Sequence, residues 1–291
     1  PWILPTRWGT FLAFGSVADP FHPQLAEKTV DYMRVAKAVL GNPIQFSTKM
    51  PPAQQHMSFF QNLPREGVSP LITVVTTKRH RALEPKAPPP SQRLEFAEKL
   101  AKMGYRVALF LRPIIPGVTD REVSDILDEA KSHGIGVVVA GSLRITENIM
   151  ERMKASGIAI NEVLKRTKRV SKRQIPIYSR DLKKMVAREC EKRNLVYLDS
   201  ACCATALATG VPCIELCWLV GRCTGCPNKC YEKVPELSSG EARELLAAIG
   251  CEEVSEVEVA TDTVRARTAN PSPQLAYVAK TLFRRNVVFE K

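Results

Sequence analysis

Five short apolar runs alternate with amphipathic stretches through the first half of the chain. They are TFLAFGSVADP (10–20), PIQFSTK (43–49), PLITVVTT (70–77), YRVALFLRPIIPG (105–117) and IGVVVAGSLR (135–144). Each run ends in polar or turn-forming residues. Between them, Leu25, Val30, Met33, Ala36, Val39 and Leu40 recur near helical spacing and predict a helix over 24–40. A shorter helix is expected over 51–63, opened by Pro51 and Pro52. Ser91 caps a helix that stops at Gly104, Thr119 and Asp120 open one that ends at Gly134, and 145–156 reads as helical. Strands alternating with helices predict parallel βα units. In barrels of parallel strands the chemistry sits at the C-terminal strand ends, where the polar punctuation falls here.

The pattern changes near residue 161. Residues 161–194 are strongly basic and helical in pattern, and LVYLDS (195–200) reads as a strand. Cysteines then crowd into 201–230, followed by a helix over 238–249 and an acidic strand-like run, CEEVSEVEVA. The expected fold class is therefore α/β. A partial TIM-like barrel spans 1–160, a basic helical connector 161–200, and a small cysteine-rich domain 201–291.

With 291 residues, 45% of them hydrophobic and 25% charged, the chain can bury one barrel core and an appendage. The apolar runs are too short for a membrane span. The opening PWILPTRWG lacks the apolar core of a secretory signal. A cytoplasmic protein with no membrane partner is expected, and its nine cysteines are expected as thiols or metal ligands rather than disulfides.

Seven of those cysteines fall in 201–230, and the densest part is Cys223-x2-Cys226-x3-Cys230, with Gly225 and Pro227 forcing turns. Such short loops let thiolates converge on one metal. Cys203 and Cys217 are candidates to complete the set, as are Cys202 and Cys213. Spacing leaves iron–sulfur and zinc both open. Cys190 and Cys251 lie apart and read as packing residues.

A net charge of +12 favours polyanion partners. The run KRTKRVSKR (165–173) holds six basic residues in nine: Lys165, Arg166, Lys168, Arg169, Lys172 and Arg173. On a helix, Lys165, Arg169 and Lys172 would share a face suited to phosphates, which gives salt-dependent, largely sequence-blind binding of nucleic acid. A solvated linker face is the bland alternative.

FGSVADPFHP, FSTK, TVVTT followed by RALEPKAPPPSQRLEFAEKLAKMG, and RPIIPGVTDREVSDILDEAKSHG resemble the radical S-adenosylmethionine (AdoMet) proteins of the spore photoproduct lyase-like group, often labelled DNA repair photolyase-like. The resemblance covers about residues 8–150. It implies a partial barrel of six βα units with AdoMet across the C-terminal strand ends. It also implies a CxxxCxxC loop after the first strand, whose 4Fe–4S cluster cleaves AdoMet to a 5′-deoxyadenosyl radical. That loop is absent from the chain: Cys213 and Cys217 have the first spacing, but Val220 stands at the third position. The first visible strand matches the family's second, so the first unit is expected upstream or lost.

By the same resemblance, cofactor-binding positions are Ser16 and Asp19 at the methionyl end, Lys49 and Thr76 at the next strand ends, Arg112, Gly117, and Gly141 under adenine. Plainer readings stand beside these: Asp19 before Pro20 makes a turn, Lys49 is solvated, and Thr76 is ordinary strand. The functional expectation is an iron–sulfur radical AdoMet enzyme, of lyase type, that repairs or modifies nucleic acid. It would carry an auxiliary 4Fe–4S cluster at the C-terminal cysteines and take electrons from a donor such as ferredoxin or flavodoxin. The alternative is a non-catalytic metal–cysteine protein that binds nucleic acid on a degenerate barrel.

Overall fold

The protein is described from a computed structural model that covers residues 9–213, 215–219 and 226–290. Its strands are β1 (Leu12–Phe14), β2 (Ile44–Thr48), β3 (Val68–Thr73), β4 (Ala108–Ile114), β5 (Val137–Ser142), β6 (Arg144–Ile145), β7 (Ile175–Pro176), β8 (Val196–Leu198), β9 (Ser255–Val259), β10 (Thr263–Arg267) and β11 (Asn286–Glu290). The helices are α1 (Ala26–Val35), α2 (Met57–Asn62), α3 (His80–Leu83), α4 (Pro90–Lys102), α5 (Thr119–Ser132), α6 (Glu147–Ala155), α7 (Asn161–Leu164), α8 (Arg180–Glu191), α9 (Ala201–Thr209), α10 (Ser239–Ala248) and α11 (Pro273–Phe283).

Six strands pair in the order β1-β2-β3-β4-β5-β8, every neighbour parallel. Sequential parallel order is the winding of a barrel, here open between β1 and β8. Period-two alternation splits each strand between two layers. Ile72, Leu109 and Val138 face one apolar core, shared with Met33 of α1, Leu94 of α4, Ile126 of α5 and Val186 of α8. An aromatic group fills the same layer near α2: Phe60 lies edge-on to Phe21, Phe59 and Phe96 at 5.6, 5.1 and 5.7 Å between centroids.

The alternate residues Leu71, Ala108, Val137, Val139 and Leu198 pack instead against Ala204 of α9. This helix, ACCATALAT, is built from small side chains that let its backbone approach the sheet closely. Its Thr205 hydroxyl donates to Gln45 Oε1 of β2 at 2.7 Å. Gly210 ends it in a left-handed conformation at φ 71°.

Three sequence expectations change. First, the sheet does not end near residue 160. Val196–Leu198, placed in the connector, is the sixth strand and pairs with β5. Its three residues are too few for a periodicity to reveal which face is buried. Second, KRTKRVSKR is not helical. Thr167 Oγ1 donates to the Arg169 carbonyl at 2.7 Å and Ser171 Oγ to that of Arg173 at 3.0 Å, giving the backbone local turns in place of a helix. Repulsion among the six cations points the same way. Third, residues 239–290 carry more than the expected helix and strand. A three-stranded sheet, β11-β10-β9, packs with α10 and α11 around Val264, Ala266, Leu246 and Phe283. Among the described residues, no helix is long and apolar enough to cross a membrane.

Candidate strand-end site

The C-terminal ends of the parallel strands open into two adjoining cavities. The larger, of about 690 Å³, is lined by Gly15, Ser16, Asp19, Gln45, Thr48, Lys49, Thr73, Phe110, Arg112, Gln174 and Ala201. The other, of about 400 Å³, shares Lys49, Arg112 and Pro113 with it and continues under α3 and α6. Both volumes fall in the range of small-molecule sites.

The floor of the larger cavity is fixed by a tight crossing of two strand ends. Gly15 has φ +96°, and a Cβ there would lie 2.2 Å from the Ser47 carbonyl oxygen, so the crossing requires glycine. Asp19 then ties the β1 loop to the end of β2. Its carboxylate accepts from Thr48 Oγ1 at 2.7 Å, from the Lys49 amide at 2.8 Å and from the Phe21 amide at 3.1 Å. Three protein donors occupy this carboxylate, which gives it a loop-fixing role beside the expected ammonium contact. Ser16, one residue past Gly15, is exposed at the mouth.

Lys49 is not a solvated strand-end lysine. Its Nζ lies 2.6 Å from Glu84 Oε1, and the other oxygen of Glu84 lies 2.7 Å from Nη1 of Arg93, which is 1% exposed. Arg93 also donates to the Pro88 and Thr73 carbonyls at 2.8 and 3.1 Å. The segment LEPKAPPPSQRL is thereby explained. Its glutamate and arginine clamp the proline loop against the sheet, and the lysine is held at the cavity wall. Sequence reading quoted this segment but did not assign Glu84 or Arg93 as site residues. An arginine on an otherwise apolar helix face was the available signal.

Arg112 reaches the mouth from β4, with its guanidinium over the Phe110 ring at 5.7 Å. No carboxylate pairs with it among the described residues. Gly141 makes room for it: a Cβ there would come within 2.5 Å of both Cγ and Cδ of Arg112. Gly141 therefore seats Arg112.

Two further expectations do not hold. Thr76 is fully buried and outside both linings. Its hydroxyl donates to the buried carboxylate of Glu122, 2.8 Å from Oε1 and 2.9 Å from Oε2. Glu122 also accepts from the amides of Thr77 and Lys78 at 2.7 and 3.1 Å, so this strand end is a structural cap. Gly117, at φ +81°, turns the chain into α5 and touches neither cavity.

The basic run borders the mouth. β7 pairs with β6, and this places Gln174, next to Arg173, in the wall of the larger cavity. Lys165 and Arg166 are engaged by Glu162 and Asp181 at 2.7 Å each. Lys168, Arg169, Lys172 and Arg173 are exposed without ion pairs among the described residues.

The cysteines gather on the same side, because α9 begins where β8 ends. Ser200 Oγ lies 3.0 Å from both Cys202 Sγ and Cys203 Sγ. Cys202, Cys213 and Cys230 pack with Ala206 and Trp218, while Cys203 and Cys226 pack against the sheet beside Ala204. The hydrogen bond from Cys203 works to lower the Cys202 pKa, but that with Cys213 and burial raise it, to about 11 overall. The contact with Cys202, then burial, push Cys203 up, and burial raises Cys230. Arg284 is fully buried near Cys213. Its Nη2 donates to the Gly9 carbonyl at 2.7 Å, while Nε and Nη1 have no partner.

Cys217 joins neither packing group, and Cys223 lies outside the described residues. Among the described residues, no three His, Cys, Asp or Glu side chains stand ready as a metal-ligand set. Among the described residues no cysteine lines the larger cavity, so the side chains there do not fit a thiolate-held cluster. Cys190 and Cys251 are buried in apolar cores.

No protein-family profile and no curated protein matches the chain. Among solved structures, a spore photoproduct lyase variant with AdoMet and a dinucleoside spore photoproduct bound aligns at TM-score 0.51 and 13% identity, covering 63% of this chain and 58% of that one. The lyase complexed with the dinucleoside alone aligns at 0.50 and 13%, with the same coverage. Streptococcus suis SuiB bound to S-adenosylmethionine aligns at 0.42 and 10%, covering 68% of this chain and 41% of that one. The chain thus spans a little over half the length of the lyase structures, and at this identity what is shared is the fold.

Proposed function

We propose that the chain is the AdoMet- and substrate-binding part of a radical AdoMet enzyme acting on nucleic acid. The observation that carries this reading is the polar cavity of about 690 Å³ at the C-terminal ends of six parallel strands. The likeness of the sheet to the lyase fold supports it.

In this reading Lys49 and Arg112 receive the AdoMet carboxylate through charge-assisted hydrogen bonds. Ser16 offers a hydroxyl to the ammonium at the same end. Asp19 keeps the β1 loop in register with β2, and Gly141 holds Arg112 in place. α9 and Phe110 limit water on the inner side. When bound and given one electron by an iron–sulfur cluster, AdoMet would break its sulfur–C5′ bond to methionine and a 5′-deoxyadenosyl radical, and a donor of ferredoxin or flavodoxin type would re-reduce the cluster. Among the described residues, no thiolate that could hold an initiating cluster lines this cavity.

The cysteine nest is proposed as a separate centre for iron–sulfur, with zinc the alternative. Buried thiols, and a buried guanidinium near Cys213 with two nitrogens lacking hydrogen-bond partners among the described residues, support a thiolate-ligated centre there. Iron, sulfide and zinc per chain, measured on protein purified without oxygen, decide between them. Cys213→Ser with Cys230→Ser should remove the bound metal, and metal retained in full by that pair would end the proposal.

The test of the main reading is equilibrium binding of AdoMet without oxygen. Saturable binding is expected, with Arg112→Ala weakening it at least about tenfold, as loss of a charge-assisted hydrogen bond predicts. Absence of binding at millimolar AdoMet by the folded protein would overturn it. A second reading, a non-catalytic nucleic-acid-binding protein, is favoured by the unpaired cations at 168–173 and survives if only AdoMet binding fails.

A further inference from the structure

A third pocket lies in the helical layer between α1 and α2, and the strand-end reading makes no use of it. It encloses about 400 Å³, within the range of small-molecule sites. Val30, Phe59, Leu63 and Pro64 give it an apolar wall, with the side chains of His56 and Asn62 beside them. Two cations enter from α1 and the turn that follows it. Arg34 pairs with Asp31 at 2.9 Å and lies 6.0 Å from the centroid of the Phe59 ring. Lys37 is half-buried, and among the described residues its amine has neither a hydrogen bond nor an ion pair. Burial holds that amine below the usual lysine value, and the charge of Glu66 only partly offsets this. Among the described residues no carboxylate lines the pocket.

The local fold puts the amine there. Directly after α1 the chain makes a wide π turn over Ala36–Leu40, closed by the Gly41 amide donating to the Ala36 carbonyl at 3.1 Å. Lys37 and Ala38 of this turn both line the pocket. Such turns are rare and gather at functional sites. The far end of the lysine rests on the turn before β3. A Cβ on Gly67 would lie 2.2 Å from Lys37 Nζ, and Gly67 has φ +80°, so both the backbone and the room it leaves call for glycine. Pro64 and Gly67 precede β3, which sets this end of the pocket at the N-terminal edge of the sheet, away from the strand-end cavities.

A half-buried ammonium without a partner is costly unless a ligand supplies the opposite charge. The charge balance says which kind. Arg34 is matched by Asp31, and Glu66 acts on Lys37 without pairing with it. With His56 counted as neutral, the pocket therefore carries at most one positive charge in excess. A phosphate monoester, as a dianion, would overmatch it, whereas a single carboxylate balances it. The apolar wall suits a ring or short chain behind that carboxylate. We infer that this pocket binds a small monocarboxylate, with the carboxylate on Lys37 and the apolar body against Phe59 and Leu63. The site does not depend on the AdoMet reading.

The test titrates phenylbutyrate onto the whole protein by calorimetry, with its neutral amide and phenyl phosphate as comparisons. Saturable binding of phenylbutyrate to one site is expected. Lys37→Met keeps the bulk of the side chain and removes its charge, and should weaken that binding at least about tenfold, as loss of a charge-assisted hydrogen bond predicts. Ala38→Phe, at an exposed position, fills the pocket without touching a charge and should abolish binding, so the test stands even if Lys37→Met folds poorly. The amide should bind weakly, and equally to the parent protein and to Lys37→Met. AdoMet affinity should be the same in both variants as in the parent. The inference is overturned if millimolar phenylbutyrate shows no saturable binding, or if either folded variant binds it like the parent. It is also overturned if the amide binds as tightly as the acid, or if phenyl phosphate binds more tightly. Phenylbutyrate binding by a protein that does not bind AdoMet would overturn the function proposed above and leave this site standing.

Discussion

At the scale of single residues, the strand-end site depends on groups that touch no ligand. Glu122 is the clearest, a buried carboxylate that satisfies a hydroxyl and two loop amides. Replacing it with alanine orphans the buried Thr76 hydroxyl, while the Thr77 and Lys78 amides lie in a partly exposed turn that water can reach. The expected cost is about 1–3 kcal/mol, measured by denaturant unfolding. Gly141 links the site to stability. Gly141→Ala would put a Cβ 2.9 Å from the Cβ of Arg112 and 2.5 Å from its Cγ and Cδ, too near the root of that side chain for a rotamer change to relieve, so stability should fall by about 1–3 kcal/mol. Displacing Arg112 should still weaken AdoMet binding, and a variant with parental affinity would show that Arg112 does not contact the ligand. The sequence showed Arg112 and Lys49 as charges at strand ends. It did not show Glu84 as the partner of Lys49 or Glu122 as the cap on Thr76, because contacts between residues 35 and 46 apart follow from packing.

At the scale of elements, α5 and α8 are coupled by a charge network. Arg193 pairs with Asp128 at 2.7 Å and with Glu189 at 2.7 Å, and Lys192 also engages Glu189. The lysine, then the arginine, hold Glu189 down at about 2, from an ordinary 4.5. A carboxylate depressed in the folded state stabilises it above the unfolded pKa and loses that contribution as pH falls through the folded one. The contribution of Glu189 should therefore fade between about pH 4.5 and 2, and Glu189→Gln should flatten the acid limb of the unfolding midpoint there. The helices themselves were legible in the sequence, from apolar spacing and from stop signals such as Gly104, although α4 starts at Pro90, with Ser91 inside it rather than capping it. The basic run was misread because six charges in nine residues have no apolar periodicity, and seryl and threonyl turns decided its path. α9 was hidden for a related reason: a helix of alanine, cysteine and threonine has no polar face to set against an apolar one.

At the scale of the whole molecule, the cations left unpaired at 168–173 lie on the same side as both cavities. Binding to single-stranded nucleic acid should weaken with salt. Replacing Lys168, Arg169, Lys172 and Arg173 by alanine should reduce the slope of log K against log salt by up to about 3, at about 0.7 per phosphate contact. An unchanged slope would remove this run from the interface. By itself the sequence determined the α/β class, most strand and helix positions, and the gathering of polar residues at the C-terminal strand ends. These follow from local periodicity and from the rule that parallel strands deliver their loops to one edge. Tertiary structure alone decided that 196–198 closes the sheet and that α9 covers its second face. It also spent Asp19 and Thr76 on the scaffold and left Arg112, Arg144 and Arg152 without ion pairs among the described residues. Those outcomes depend on which distant groups meet in space, where burial obliges each polar group to find a partner, and no spacing along the chain encodes which partner that is.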